Sequence, residues 1–244
     1  MSELNFQGRT VLVIGGSSGI GNGIARAFLR AGALVHVWGT RASAADYTGE
    51  AGSELEGLAY EQMDAADSEA IEAYEPPFAR LDVLVQSQGI ALYGKREFEL
   101  AEFRRVLDVN LTSLMACCLR FRPMLAAAQG SVIIVSSSAA FHATVGNPAY
   151  NASKAGAAGL TRTLARAWAE EGIRINGIAP GFVATRLTAV TVDNPARRAA
   201  ALARIPLKRF GTVEEMAGIA LFLASPLSGY IVGQTLLADG GMLL

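Results

Sequence analysis

The stretch Thr10-Val11-Leu12-Val13-Ile14-Gly15-Gly16-Ser17-Ser18-Gly19-Ile20-Gly21 decides how the chain is read. A short apolar run of strand length passes straight into a glycine-rich turn, which opens onto the helical pattern Ile24-Ala25-Arg26-Ala27-Phe28-Leu29. Strand, glycine turn and helix in that order make an anion site. The glycines let the main chain approach a pyrophosphate closely, and the free N–H groups and dipole of the helix start favour its charge. A glycine cluster alone is as readily a plain tight turn, so the flanking strand and helix carry the reading. Gly32 to Trp38 forms a second strand, which gives a strand–helix–strand unit of mononucleotide-binding length. Its end, Gly39-Thr40-Arg41, therefore faces the adenosine ribose.

Outward from this unit the alternation continues. Ser43 to Gly57 is a polar connection, Leu58 to Met63 a third strand, and Asp64-Ala65 follows it. Asp64 can cap a helix that begins near Asp67, a reading that weighs equally with the acid beside the adenine that a family resemblance implies. Pro76-Pro77 ends that helix. Leu81 to Val85 is the fourth strand, and Phe98 to Ala128 reads as one long helix containing Asn110, whose amide costs stability there unless paired. Ser131 to Val135 is a strand that ends in Ser136-Ser137-Ser138, Ala152 to Glu171 is a helix, and Ile173 to Ala179 is a sixth strand ending at Pro180-Gly181. Thr212-Val213-Glu214-Glu215 has the form of a capping box, and Gly233 to Asp239 supplies a closing strand.

Tyr150 and Lys154 stand four residues apart, so on a helix their side chains share one face. A phenol is a poor base at neutral pH, and a neighbouring ammonium favours its ionised form. A Tyr tuned in this way can take a proton from an alcohol or give one to a carbonyl. Ser137, at the carboxyl end of its strand, is placed where open α/β sheets hold ligands, and can steady a substrate oxygen. By itself the spacing more often marks a half-buried Tyr beside a solvated Lys. The loop between carries Phe141, His142, Val145, Asn147 and Pro148, mostly apolar, over the substrate side. His142 reads as a pocket wall or lid residue, because hydride chemistry needs no Ser nucleophile.

Ser137, Tyr150, Lys154, Gly15-x-x-x-Gly19-x-Gly21, Asn110 and Pro180-Gly181 together resemble the short-chain dehydrogenase/reductase family, over essentially the whole chain to Asp239-Gly240-Gly241. The resemblance implies one doubly wound Rossmann-type α/β domain over residues 1–244, with a mainly parallel sheet of seven strands and residues 183–210 as a substrate lid. It implies hydride transfer between a nicotinamide cofactor and a secondary alcohol or ketone. Tyr150 is then the acid/base, Lys154 lowers its pKa and holds the ribose, and Ser137 polarises the carbonyl. Asn110 kinks its helix and holds a water that links the Lys to solvent, against a plain cap or kink. The implied cofactor contacts are Gly15, Ser17, Ser18, Gly19, Ile20, Gly21, Gly39, Thr40, Arg41, Asp64, Ala65, Gln88, Gly89, Tyr150, Lys154, Pro180, Gly181, Val183 and Thr185. Thr185 is alternatively the cap of the next helix. Substrate contacts are Ser137, His142, Asn147, Tyr150 and Phe182. Where relatives carry Asn-Asn-Ala-Gly, this chain has Gln86-Ser87-Gln88-Gly89, which places a long amide where a methyl is usual.

No acid stands at Gly39 to repel a 2′-phosphate, and Thr40 and Arg41 can bind one, so NADP(H) is expected over NAD(H). The rival is an Arg41 that is merely solvated. The chain also resembles 3-oxoacyl-carrier-protein reductases, yet Ala127-Ala128-Gln129 and Glu170-Glu171 lack the cations that would dock an acidic carrier. A rival of another class is a non-catalytic dinucleotide-binding regulator, against which the intact Ser, Tyr, Lys and Asn set argues.

The 244 residues, 51% hydrophobic, suffice for a large core, and a net charge of −1 offers no electrostatic footprint for nucleic acid or anionic membrane. The amino terminus has no signal core and no apolar run is expected to span a bilayer, so a soluble, cytoplasmic protein is expected. Cys117 and Cys118 fit neither a metal spacing nor a disulfide framework and read as packed thiols; no metal is implied. The Phe98–Ala128 and Ala152–Glu171 helices resemble the pair through which family members form dimers and tetramers, so a homotetramer or homodimer is expected.

Overall fold

A computed structural model of the chain describes residues 4–244. Its centre is β1 (Thr10–Ile14), in which alternate residues feed opposite faces. Val11 and Val13 join one apolar cluster, whereas Leu12 and Ile14 join the other. A strand buried on both faces must be apolar throughout, which is why these five residues carry no polar alternation. α1 (Gly19–Arg30), β2 (Leu34–Gly39) and β3 (Ala59–Gln62) build the sheet outward on one side. After α2 (Ser68–Ala73) the chain returns to the opposite flank of β1 with β4 (Val83–Gln86), and β5 (Ser131–Val135), β6 (Arg174–Pro180) and β7 (Thr235–Ala238) extend that side. The seven strands run parallel in the order β3-β2-β1-β4-β5-β6-β7. The direction of winding reverses between β1 and β4, and such a switch opens a crevice at the carboxyl ends of both strands.

Helices cover both faces. α1 and α8 (Val213–Ala224) pack on one, where Phe28 and Ile24 meet Met216 and Leu223 over Val11, Val35 and Val83. α8 starts at the expected capping box: Glu215 N–H donates to Thr212 Oγ1 and Thr212 N–H donates to Glu215 Oε2. The other face is covered by α4 (Ser113–Ala128) and α5 (Pro148–Trp168), whose Phe121, Leu125, Leu164 and Trp168 pack on Leu12, Leu84 and Val132. Cys117 and Cys118 are buried in this second core, as packed thiols should be.

Several boundaries differ from expectation. The long helix is α3 (Leu100–Leu107), a π-turn at Asp108–Thr112, and α4. The π-turn is centred on Asn110, the residue that a regular apolar helix could not have paired. The continuous helical run Leu100–Ala128 is, by length and composition, long and apolar enough to cross a bilayer, contrary to the sequence expectation. Its inner residues, Leu114, Phe121 and Leu125, nevertheless lie buried against the sheet. α5 begins four residues earlier than expected, because Pro148 supplies a pre-set φ at its first turn. α6 (Ala189–Val192) and α7 (Pro195–Arg204) occupy the segment between β6 and α8, largely exposed.

Candidate active site

At the switch point lies a cleft of about 790 Å³. Its floor is the turn after β1. Gly15 has φ 71°, and a Cβ built there would stand 2.8 Å from Gln88 N, so glycine alone lets the two main-chain loops close on each other. Ser17, Ser18, Gly19, Ile20 and Gly21 continue the lining up to the first turn of α1, whose N–H groups and dipole suit an anion. Gly39 also lines the cleft, and a Cβ there would lie 2.7 Å from Ser17 Oγ and 2.8 Å from the Tyr47 hydroxyl. A side chain at the end of β2 would have to displace Ser17 and the Tyr47 hydroxyl, so the place is closely packed as well as free of an acid.

Thr40, Asp64, Ala65, Gln88, Gly89, Pro180, Gly181, Val183 and Thr185 line the same cleft. Asp64 is not the cap of α2: that place belongs to Asp67, whose Oδ1 accepts the N–H of Ala70. Thr185 lines the cleft and also precedes the short turn Arg186–Thr188, donating its N–H to Thr188 Oγ1. Arg41 departs from its expected place and does not line the cleft. Its guanidinium lies over the Tyr47 ring at 4.4 Å, pairs with Glu50 at 2.5 Å and donates to Asp46 O. Arg186 does line the cleft and pairs with the same Glu50 at 3.0 Å, so one carboxylate is shared between two guanidiniums.

Ser137, Tyr150 and Lys154 meet at the inner end. Ser137, just past β5, accepts the N–H of Ala139 at 3.1 Å, which leaves its own proton free to donate, and its hydroxyl bonds the Tyr150 phenol. Lys154 Nζ donates to Val135 O at 2.9 Å and stands 5.7 Å from the centre of the Tyr150 ring. Burial lowers Lys154 to about 8. Tyr150 is raised above the usual phenol range, first by burial, with Tyr93 and Glu97 adding to it and the Ser137 bond opposing it. The expected lowering by Lys154 is therefore corrected for the protein alone: burial of the phenol raises it, and Ser137, not Lys154, is the group that opposes the rise.

Asn110 is fully buried behind this group and does not line the cleft. Its Oδ1 accepts Ile90 N–H and its Nδ2 donates to Ile90 O, both at 2.8 Å, with Ser153 Oγ at 3.1 Å. The π-turn aims this amide at the loop after β4. Gln88 turns away from the cleft. Its main chain forms floor, while Nε2 donates to Ser113 Oγ at 2.9 Å and Gln86 Oε1 at 3.3 Å. Ser113 in turn donates to Val109 O, inside the π-turn.

Three expected substrate contacts lie elsewhere. His142 is on the loop surface with Nδ1 against Ala143 O. Asn147 spends its amide on Leu92 O and Glu97 Oε1, each at 3.0 Å. Phe182 lines a separate pocket with Leu207, Met216 and Ile219. The cleft is lined instead by Ile90, Ala91, Leu92, Tyr93 and Leu187, with the Tyr93 hydroxyl donating to Leu187 O at 2.8 Å. No local pattern marks these residues; they are found only by following the loop after Gly89.

A family model described as enoyl-(acyl carrier protein) reductase matches residues 14–243. The chain is 38% identical over 248 residues to the 2-dehydro-3-deoxy-D-gluconate 5-dehydrogenase of Bacillus subtilis, covering 98% of this chain and 96% of that protein. It is 36% identical over 247 residues to the 3-oxoacyl-[acyl-carrier-protein] reductase of Chlamydia pneumoniae, covering 98% and 99%. A solved structure of a candidate 2-deoxy-D-gluconate 3-dehydrogenase from Agrobacterium tumefaciens, with bound NADP, superposes with a TM-score of 0.89 at 35% identity, covering 100% of this chain and 99% of that one.

Proposed function

This chain belongs to the short-chain dehydrogenase/reductase family, and from that membership we propose that it transfers a hydride between NADP(H) and a secondary alcohol or ketone, with Tyr150 as acid/base. The observation that carries the reading is the meeting of Ser137, Tyr150 and Lys154 in one cleft with the glycine turn after β1. Gly39 and the Gly15 cradle fit a dinucleotide that bears a 2′-phosphate: Gly39 offers no acid to repel it, and Arg186, which shares Glu50 with Arg41, is a cation on the cleft lining.

When bound, the nicotinamide supplies the hydride that turns a carbonyl carbon into a carbinol. The Ser137 hydroxyl, its proton uncommitted to the main chain, donates to the substrate oxygen. Tyr150, held protonated by burial, gives its proton to that oxygen as charge builds there. Lys154 is fixed by Val135 O so that its charge stands beside the phenolate that remains. Asn110 fixes Ile90 at the cleft wall and supports the proton path.

Residues 183–210 act as a substrate lid, held to the rest by Tyr93 and Glu50. The protein works in the cytoplasm as a homotetramer or homodimer, assembled through α4 and α5, which carry exposed Leu119 and the small-residue face of Gly159. The name of the Bacillus relative favours sugar-acid substrates, and that of the Chlamydia relative a 3-oxoacyl thioester. Against carrier docking, Arg122 near the end of α4 is already paired with Glu171.

The test is a panel of ketones, keto acids and 3-oxoacyl thioesters with NADPH and NADH, run on wild type and Tyr150→Phe. Tyr150→Phe is expected to lose turnover while cofactor binding stays within about threefold. More than about a tenth of wild-type kcat in that variant rejects the mechanism.

A further inference from the structure

Glu97 is fully buried and pairs with no cation among the described residues, yet all three of its polar contacts are donors. Oε1 accepts the N–H of Leu92 at 2.9 Å and Nδ2 of Asn147 at 3.0 Å, and Oε2 accepts the N–H of Tyr150 at 2.9 Å. A carboxyl that receives three N–H bonds and makes no donation is serving as a carboxylate. It also sits at the amino end of α5, where free N–H groups and the helix dipole favour an anion. That end has no cap of its own: Asn147 stands at the N-cap position but makes no side-chain cap bond, and Pro148 has no N–H. A residue 53 positions earlier in sequence therefore caps the helix, and the N–H it takes belongs to the acid/base itself.

Three separate elements converge on this one side chain. They are the loop after Gly89 that walls the cleft, the Asn147 turn and the first turn of α5. Asn110 pins the same loop at Ile90, so the wall is held at two points, Ile90 from the π-turn and Leu92 from Glu97.

We propose that Glu97 is the positioning residue for the proton-transfer step: its carboxylate fixes the Tyr150 main chain relative to the cleft wall and sets the electrostatic environment of the phenol. This rests on the acid/base reading of Tyr150. The titratable and charged groups around it are few. Tyr93 lies on the loop and Tyr150 and Lys154 on α5; Lys95 and Arg96 belong to its own turn, and Arg96 is engaged by Glu102 on α3. Both Tyr93 and Tyr150 feel the Glu97 charge, which raises each of them.

The test uses the full-length enzyme with NADPH and the best ketone of the panel, with Tyr150→Phe in the same assay. Glu97→Gln is expected to lower kcat per folded molecule about tenfold with the KM for NADPH unchanged, and to move the alkaline limb of the kcat profile to lower pH. A limb that stays in place, or a kcat within about twofold of wild type, overturns the proposal. Should Glu97→Gln not fold, Asn147→Ala decides, since it removes one donor and leaves the carboxylate. A several-fold loss of kcat at constant NADPH KM supports the proposal, and unchanged kcat overturns it. If Tyr150→Phe itself retains turnover, the acid/base reading fails first, whatever Glu97→Gln does.

Discussion

Lys154 carries a charge that the fold does not want. Its ammonium is buried, donates to Val135 O and has no carboxylate partner among the described residues, so burial depresses its pKa from 10.5 to about 8. The folded state thus binds the proton more weakly than the unfolded chain does. Below pH 8 both states are protonated and folding bears the full penalty, about 3 kcal/mol at about 1.4 kcal/mol per pH unit. Between about pH 8 and 10.5 the folded protein is neutral while the unfolded chain still holds the proton, and the penalty fades as pH rises. Lys154→Met should therefore be more stable than wild type at pH 7, by up to about 3 kcal/mol less the lost bond to Val135 O, and the difference should shrink toward pH 10. Denaturant melts of both proteins across that range check it; a difference that does not vary with pH refutes it. The residue is retained for chemistry against stability. Its place beside Tyr150 was legible from the Tyr150–Lys154 spacing, but the Glu97 contacts were not, since a carboxylate that reaches across 53 residues leaves no periodicity to read. Arg41 failed for a related reason: its neighbour Glu50 lies on a loop whose path the sequence does not specify.

At the scale of the element, the π-turn between α3 and α4 explains two features that looked like departures. Asn110 gains its pairing with Ile90 because the turn widens there, and Gln88 finds Ser113, whose hydroxyl satisfies Val109 O. The amide in place of the usual methyl therefore packs under the cofactor floor instead of into the pocket. Gln88→Ala would leave Gln86 Oε1 without a donor and open a void, while relieving Gln88 Oε1, which has no partner now. The expected result is a loss of about 1–3 kcal/mol in stability with an unchanged ranking of ketone substrates. A changed ranking at unchanged Tm would show that the side chain does reach the pocket. The strands, the glycine turn and the capping box of α8 were all legible, because each is a local pattern with a local cause. The π-turn was not, since only tertiary pairing of Asn110 selects it over a regular helix. The early start of α5 was missed although Pro148 marks it locally, because Asn147 makes no cap bond there and the capping contact comes from Glu97.

The molecule as a whole is electrically lopsided. Residues 183–210 carry Arg186, Arg197, Arg198, Arg204, Lys208 and Arg209 against Asp193 alone, a net of +5 that leaves −6 for the rest of a chain totalling −1. Arg197, Arg198, Arg204 and Lys208 make no ion pair with an acid among the described residues. A field of one sign over a cleft raises the on-rate of anions and fades with salt, over a Debye length of about 10 Å at 0.1 M. We expect kcat/KM for NADPH to fall several-fold as ionic strength rises from about 20 mM to 0.5 M, and replacing Arg197, Arg198 and Arg204 by Ala to flatten that dependence. Parallel salt slopes for the two proteins would remove residues 183–210 from the explanation. The sheet order has its own consequence for how the chain comes into being. A ribosome releases β1, β2 and β3 first, and β1 keeps one flank bare until residues 83–86 emerge. From then on β5, β6 and β7 arrive in the order in which they stand, each finding the preceding strand already in place as its template. Synthesis and assembly run in the same direction along that half, and Tyr150, translated between β5 and β6, follows Ile90, Leu92, Glu97 and Asn110, the residues that hold the cleft wall.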